Sequence, residues 1–290
     1  MQTKAVGSRL VGGVTAAALS LGSPLCASAQ DAGAHEWDFG RDPARKLAIA
    51  AVSYENFGVA VRCLDGILSV VVSGLPEGRG VRTFRYQMGD QTETDSRWVA
   101  AGDGTTAFAV WPTRTAAGMA KGGRLSLGVR DGERMRRIAV DLPPSTGAVS
   151  QVFQACGREL TSETEANEPD RENLGGLRWR STPEPSFPSR TVASQGLAAV
   201  RCKVDRGGRL EDCSVESEFP EGGGFGRAAT LGAHRTGRVE TDGQAGTMEG
   251  REIAFVVNYR MSSEPALPSM PSRLRPRAER EGSTSRSPSE

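Results

Sequence analysis

Gly196-Leu-Ala-Ala-Val-Arg-Cys-Lys-Val204 is preceded by Pro185-Ser-Phe-Pro188 and followed by Gly208-Arg-Leu210, Val215-Glu-Ser217, Phe225-Gly-Arg-Ala-Ala229 and Ile253-Ala-Phe-Val-Val257. The series reads as strand, hairpin turn, strand, short helix and strand. Val200, Cys202 and Val204 alternate along the first strand and Cys213 and Val215 along the second, the period of half-buried strands. Leu210 and Cys213 are an odd number apart, so an in-facing Leu210 and an in-facing Cys213 require one extra residue near Glu211-Asp212, which predicts a β-bulge there. That bulge lets Cys202 and Cys213 lie opposite each other on one face, as a cross-strand disulfide needs. The helix, about Gly224 to His234, is short and weakened by glycine, so packing on the sheet must hold it.

Upstream, from Trp37 to about Leu160, short apolar runs alternate with turn residues. Leu47–Val52, Val59–Cys63, Leu68–Val72, Arg82–Met88, Ala107–Trp111, Leu125–Val129 and Met135–Leu142 read as strands. Asp65-Gly66, Gly89-Asp90, Gly122-Gly123 and Asp131-Gly132 among others supply the turns between them. This spacing predicts an all-β N-terminal domain, residues 36–160, as an antiparallel sandwich or open barrel. Helices are expected over Ala148–Leu160, after Pro143-Pro144, and near Thr113–Ala120. Residues 161–177 are polar and acidic and read as a linker. Residues 178–260 form the second, α+β domain (ββαβ). Residues 261–290, rich in Ser, Pro, Arg and Glu, bury too little apolar surface to offset ordering entropy and read as a disordered tail.

The N-terminus carries Lys4 and Arg9, a small and apolar run from Val11 to Leu25, and Ala27-Ser28-Ala29 before Gln30. This predicts a secretory signal peptide, residues 1–29, cleaved near Ala29, and a periplasmic protein. About 15 residues interrupted by Gly12, Gly13, Gly22 and Pro24 are short for a span that needs roughly 20. Leu25 is too bulky to precede a lipidated Cys26, so no lipid anchor is expected. Export leaves Cys63, Cys156, Cys202 and Cys213, an even set for an oxidising compartment. Three connectivities are possible, and local spacing favours Cys63 with Cys156 and Cys202 with Cys213. A metal site lacks ligands: His35 and His234 are the only histidines and no pair of cysteines has C-x-x-C spacing. No cofactor is expected. The formal charge of +1 falls to about −1 with the loss of Lys4 and Arg9, and acids and bases are interleaved, so nucleic acid is not an expected partner.

Residues from about Arg178 to Tyr259 resemble the TonB C-terminal domain family, the periplasmic part of transducers that reach outer-membrane receptors. The likeness rests on Pro-x-aromatic-Pro at Pro185–Pro188, Gly196 before the first strand, Val204-Asp205 with Gly208-Arg209-Leu210 at the turn, and Val215 with Ser217. Phe225-Gly226 with Ala228-Ala229 at the helix and Gly250 before the last strand complete it. The resemblance implies a binding module, linked to energy-coupled transmembrane transport, that takes an extended receptor segment as an added strand on its sheet edge. The partner-binding residues it implies are Pro185, Phe187 and Pro188 with Ile253, Phe255, Val257 and Tyr259 of the final strand. The partner is an outer-membrane receptor or other envelope protein, and a homodimer stays open. The chain departs from the family after the helix, where Arg235-Thr-Gly-Arg-Val239 has no Trp-Arg-Phe-x-Pro-like opening. It also has a signal sequence and a modest linker where a force transducer has a membrane helix and a long reach. The alternative is a structural envelope protein whose TonB-like edge is capped internally. The first domain, through Val61-Arg-Cys-Leu-Asp-Gly66, Leu68–Val72 and Trp98, resembles periplasmic proteins of the invasion-associated locus B type, which implies a fold more than a function.

The residues do not read as an enzyme. A Ser-His-acid triad would have to use His35, in a polar stretch, or His234, at a helix end where a cation suits the dipole. Gly222-Gly-Gly224 precedes a helix but lacks the Lys-Ser/Thr of nucleotide loops, so a flexible helix opening explains it. Asp42 with Arg45 and Lys46 reads as a solvated charge cluster. Glu216 and Glu218 are expected on one strand face, exposed, with nothing apolar to separate their pKa values.

Overall fold

The computed structural model describes residues 36–145, 147–189, 191–241 and 246–261. The expected signal peptide, His35 and the expected disordered tail beyond Met261 lie outside the described residues. The described chain from Glu36 onward belongs to one compact unit.

Nine strands build the N-terminal part: β1 (Asp38–Asp42), β2 (Leu47–Ser53), β3 (Gly58–Leu64), β4 (Ile67–Ser73), β5 (Val81–Met88), β6 (Thr94–Ala100), β7 (Ala107–Ala109), β8 (Gly123–Asp131) and β9 (Arg134–Leu142). They form a single antiparallel sheet in the order β1-β2-β3-β4-β7-β6-β5-β8-β9 rather than two stacked sheets. Its two ends approach each other: Trp37 Nε1 donates to Pro143 O at 2.8 Å and the Tyr54 hydroxyl to Asp141 O at 2.7 Å. The concave face holds Val61, Leu68, Val70, Phe84, Trp98, Leu125 and Leu127, all buried. Phe84 and Trp98 stack there with centroids 5.4 Å apart. Each expected strand is present within a few residues. β1 and β6 escape the sequence reading because Asp38-Phe-Gly-Arg-Asp42 and Thr94-Asp-Ser-Arg97 are too polar to signal a strand, and neighbouring strands impose it.

Two helices cover this core. α1 (Pro112–Lys121) begins with proline at its first turn, where no N–H is needed, and ends at Gly122, whose φ of 74° suits glycine. α2 (Ala148–Ala155) buries Val149, Val152 and Phe153 and stops short of the expected Leu160. Cys156 follows immediately and is joined to Cys63 on β3, while Cys202 is joined to Cys213. Two disulfides fit an exported protein in an oxidising compartment.

The 161–177 segment contains α3 (Thr164–Asn167), with Thr164 and Glu165 buried. Beyond it come β10 (Leu177–Ser181), β11 (Gln195–Val204), β12 (Leu210–Phe219), α4 (Phe225–Thr236), β13 (Arg238–Thr241) and β14 (Glu252–Arg260). β12-β11-β14 make a three-stranded antiparallel sheet, and β10 pairs with β13 as a separate ribbon. α4 lies on one face of the three-stranded sheet, over Ala198, Val200, Val204, Ile253 and Tyr259. The opposite face carries Leu197, Ala199, Phe219 and Ala254 and packs on Val110, Trp111 and Phe108 of the N-terminal part. Phe108 and Phe219 meet there with centroids 5.4 Å apart, and Arg62, over the Phe108 ring, pairs with Glu221. A three-stranded sheet with one helix buries only one face; the second apolar face needs the N-terminal sheet as its cover.

Among the described residues, no helix is long and apolar enough to cross a membrane.

Candidate partner-binding edge

The ladder between β11 and β12 slips twice. One slip lies between Arg201 and Lys203, opposite Asp212 and Cys213, where Asp212 adopts φ 47°. This is the bulge that the Leu210-to-Cys213 spacing requires, and it brings the Cα atoms of Cys202 and Cys213 to 4.1 Å. The second slip was not read from the sequence. Ala199 opposes Ser217 while Val200 opposes Val215, which leaves Glu216 as the extra residue.

The second bulge corrects the expectation for the two carboxylates. Glu216 and Glu218 are 1% and 5% exposed, not on the surface. Glu216 turns toward the N-terminal part, where Oε2 accepts from the Thr113 hydroxyl at 2.7 Å and lies 3.3 Å from Arg158 Nη1. Arg158 also donates to Thr113 Oγ1 and, at 3.1 Å, to Val215 O. Arg201 stands 3.7 Å from Glu216 and 2.8 Å from Glu168. Burial and the charge of Glu216 push the Glu168 carboxyl above its ordinary pKa, against the pull of Arg201. Burial opposes the charge on Arg201, but Glu216, Glu168 and Glu252 more than offset it and hold its pKa above the usual value.

Glu218 turns the other way. Its Oε2 accepts from Gly226 N at 2.7 Å and Oε1 from Gly224 N at 3.4 Å, at the start of α4. Gly224, with φ 76°, occupies the N-cap position but has no side chain to cap with, so a carboxylate from β12 does so. The Gly222–Gly224 loop therefore already holds an anionic group, one belonging to the chain itself.

The lead-in segment runs beside α4. Pro185 packs where a Cβ on Gly232 would come within 2.7 Å of its Cα. Phe187 makes edge contacts with Phe225 and Tyr259, centroids 5.5 and 6.0 Å away. Pro188 is half-buried against Gly224. On β14, Ile253, Phe255 and Tyr259 are buried beneath α4 and Val257 is half-buried, so their side chains belong to the core. The Tyr259 hydroxyl donates to Phe225 O at 2.9 Å, and burial together with Glu218 raises its pKa.

The edge of β14 is set by parity. In an antiparallel ladder alternate residues turn their N–H and C=O groups away from the partner strand. Ala254 and Val256 bond outward, so Asn258 and Arg260 also direct their main chain away from β11, whereas Val257 and Tyr259 direct theirs toward it. On one side of this edge a cavity of about 460 Å³ is lined by Trp179, Pro183, Pro185 and Phe187. On the other side a cleft of about 670 Å³ lies against Val81, Val99 and Phe108 of the N-terminal sheet. Both reach Asn258 and Arg260. The sequence reading named the lead-in segment and the strand but missed Asn258, whose outward main chain follows only from the register of β14 on β11.

His234 lies exposed on α4, and no group of three or more His, Cys, Asp or Glu placed to hold a metal occurs among the described residues. No protein-family model, curated protein or solved structure matches the chain.

Proposed function

We propose that this chain is an exported periplasmic protein with a TonB-like C-terminal domain, binding an envelope protein or outer-membrane receptor by strand addition and linked to energy-coupled transmembrane transport. The observation that carries this reading is the outward main chain of Asn258 and Arg260, set between an aromatic-lined cavity and an apolar cleft. An added strand bonds to those groups, and its side chains alternate between the two recesses. The Pro185–Pro188 lead-in forms one wall, and Phe255, Val257 and Tyr259 support the strand from within.

A second reading is a structural envelope protein. It is favoured by the docking of the C-terminal sheet onto Val110, Trp111 and Phe108, and by the pairing of Asn173 with Ala254 at the edge. The two readings separate in a crosslinking capture from envelope extract with the full chain and its Asn258→Pro variant. Asn258 directs its N–H outward, so proline there removes a donor for an incoming strand without breaking the β11 ladder. Capture of an outer-membrane receptor by the wild type and its loss in the variant, with unchanged circular dichroism, is the expected result. Failure of the folded wild type to capture any receptor leaves the structural reading.

A further inference from the structure

Glu172 and Asn173 already sit where an added strand would begin. Asn173 N donates to Ala254 O and Ala254 N to Asn173 O, both at 2.7 Å, a one-pair antiparallel strand. The next outward donor, Val256 N, is taken at 3.0 Å by Glu172 Oε1, so a carboxylate fills the place of a strand carbonyl. The other oxygen of Glu172 accepts from Arg97 Nη1 of β6 at 3.0 Å, which ties the cap to the N-terminal sheet. Asn173 is itself fixed: its Oδ1 accepts from Gly175 N at 2.8 Å, and Arg251 Nη1 donates to Gly175 O at 3.0 Å. Beyond Val256 the described residues supply no such partner to the outward edge.

We infer that Glu172-Asn173 is a built-in cap on the β14 edge, which competes with the strand-adding partner for Ala254 and Val256. The inference rests on the strand-addition reading above and adds its regulation. A partner displacing the cap replaces the three bonds to the β14 main chain that it breaks, two from the Asn173 backbone and one from the Glu172 carboxylate. What is lost outright is the Glu172–Arg97 pair, whose side chains are 49% and 33% exposed. A pair of that exposure contributes little to stability, so the cap is weak enough to yield. Among the described residues nothing competes for the outward main chain of Asn258 and Arg260, whereas Ala254 and Val256 are open to a partner only against competition.

The test uses the full chain with both disulfides intact, together with Glu172→Ala, Glu172→Gln and Asn258→Pro. One readout is amide hydrogen exchange at Val256. The other is binding of a fluorescein-labelled seven-residue peptide of alternating threonine and valine with lysine at each end. Glu172→Ala should speed Val256 exchange and tighten peptide binding, each by about tenfold, the effect of one lost hydrogen bond. Glu172→Gln, which keeps the acceptor, should stay near wild type in both, and Asn258→Pro should abolish binding. Unchanged Val256 exchange in Glu172→Ala overturns the cap. Faster exchange with unchanged binding overturns the competition while leaving strand addition intact. Peptide binding by no form, or binding indifferent to Asn258→Pro, overturns the strand-addition reading and the inference with it.

Discussion

Glu216 and Glu218 stand two residues apart on β12 yet face opposite sides of the sheet, one bonded to Thr113 of the N-terminal part and the other to the first turn of α4. The bulge at Glu216 produces the inversion by placing one extra residue on the face turned to Thr113. The two carboxylates therefore do separate jobs, and their removal should have separate signatures. Glu216→Ala leaves Arg158 without its buried counter-charge, while Arg201 keeps Glu168, and should cost about 3 kcal/mol. Glu218→Ala leaves the Gly224 and Gly226 amides unbonded and should cost about 1–3 kcal/mol, with loss of helical signal. Urea unfolding followed by circular dichroism distinguishes them. Equal, sub-kilocalorie losses would show that neither carboxylate does what its contacts imply.

The elements with a clean period were legible before the structure: the expected strands of the N-terminal sheet, the hairpin of Val200, Cys202 and Val204, and the bulge required by the odd spacing of Leu210 and Cys213. What the sequence hid has physical causes. A strand such as β6 is made by its neighbours, because Thr94-Asp-Ser-Arg97 has no intrinsic signal. The bulge at Glu216 turns Val215 toward α4 and Phe219, four residues on, toward Phe108, but with both faces of the sheet apolar a Val and a Phe at that spacing read equally well as one regular face. A carboxylate at a buried interface cannot be told from a solvated one until Arg158 and Arg201 are placed beside it. The site was half legible. Pro185, Phe187 and the β14 residues were found, but as core-facing side chains, while Asn258, Glu172 and Arg97 become visible only once the edge and its neighbours are placed.

The two cross-links should differ in strength by the size of the loop they close. Cys63 and Cys156 are 93 residues apart and Cys202 and Cys213 are 11 apart. Chain entropy alone gives about 4.6 and about 2.8 kcal/mol respectively. Paired Cys→Ser replacements compared in urea should reproduce that order. A larger loss from the hairpin bond would mean that unfolded-state structure, not loop closure, governs the effect.

Acid should act on Glu165 and Glu168 with opposite signs. Burial raises the Glu165 carboxyl, but hydrogen bonds from Lys121 at 2.7 Å and Gln91 at 2.5 Å outweigh it and hold its pKa below the ordinary 4.5. Its contribution is therefore present above the unfolded value and lost as pH falls through the lowered one. Glu168, pushed above 4.5 by burial and by Glu216, contributes fully below its unfolded value and loses that contribution as pH rises through the raised one. Relative to wild type, Glu165→Gln should lose ground as pH is raised across the acid range, and Glu168→Gln should gain it. Unfolding free energies of the three proteins between pH 3 and 7 provide the comparison, and slopes of the same sign would contradict these assignments.

Gly196 is needed for packing rather than for its backbone conformation. The Phe225 ring lies where a Cβ on Gly196 would be, and the same ring supports Phe187 at 5.5 Å and Tyr259 at 4.9 Å. Gly196→Ala must push that ring aside, and overpacking of this kind typically costs about 1–3 kcal/mol. Displacing Phe225 also displaces Phe187, one wall of the cavity beside Asn258, so any strand binding should weaken along with stability. Phe225→Leu gives the new methyl room, so the double variant should be more stable than the two single losses would predict, since contacting residues do not behave additively. Strict additivity in a thermal melt of the four proteins would place the cost of the alanine elsewhere than against Phe225.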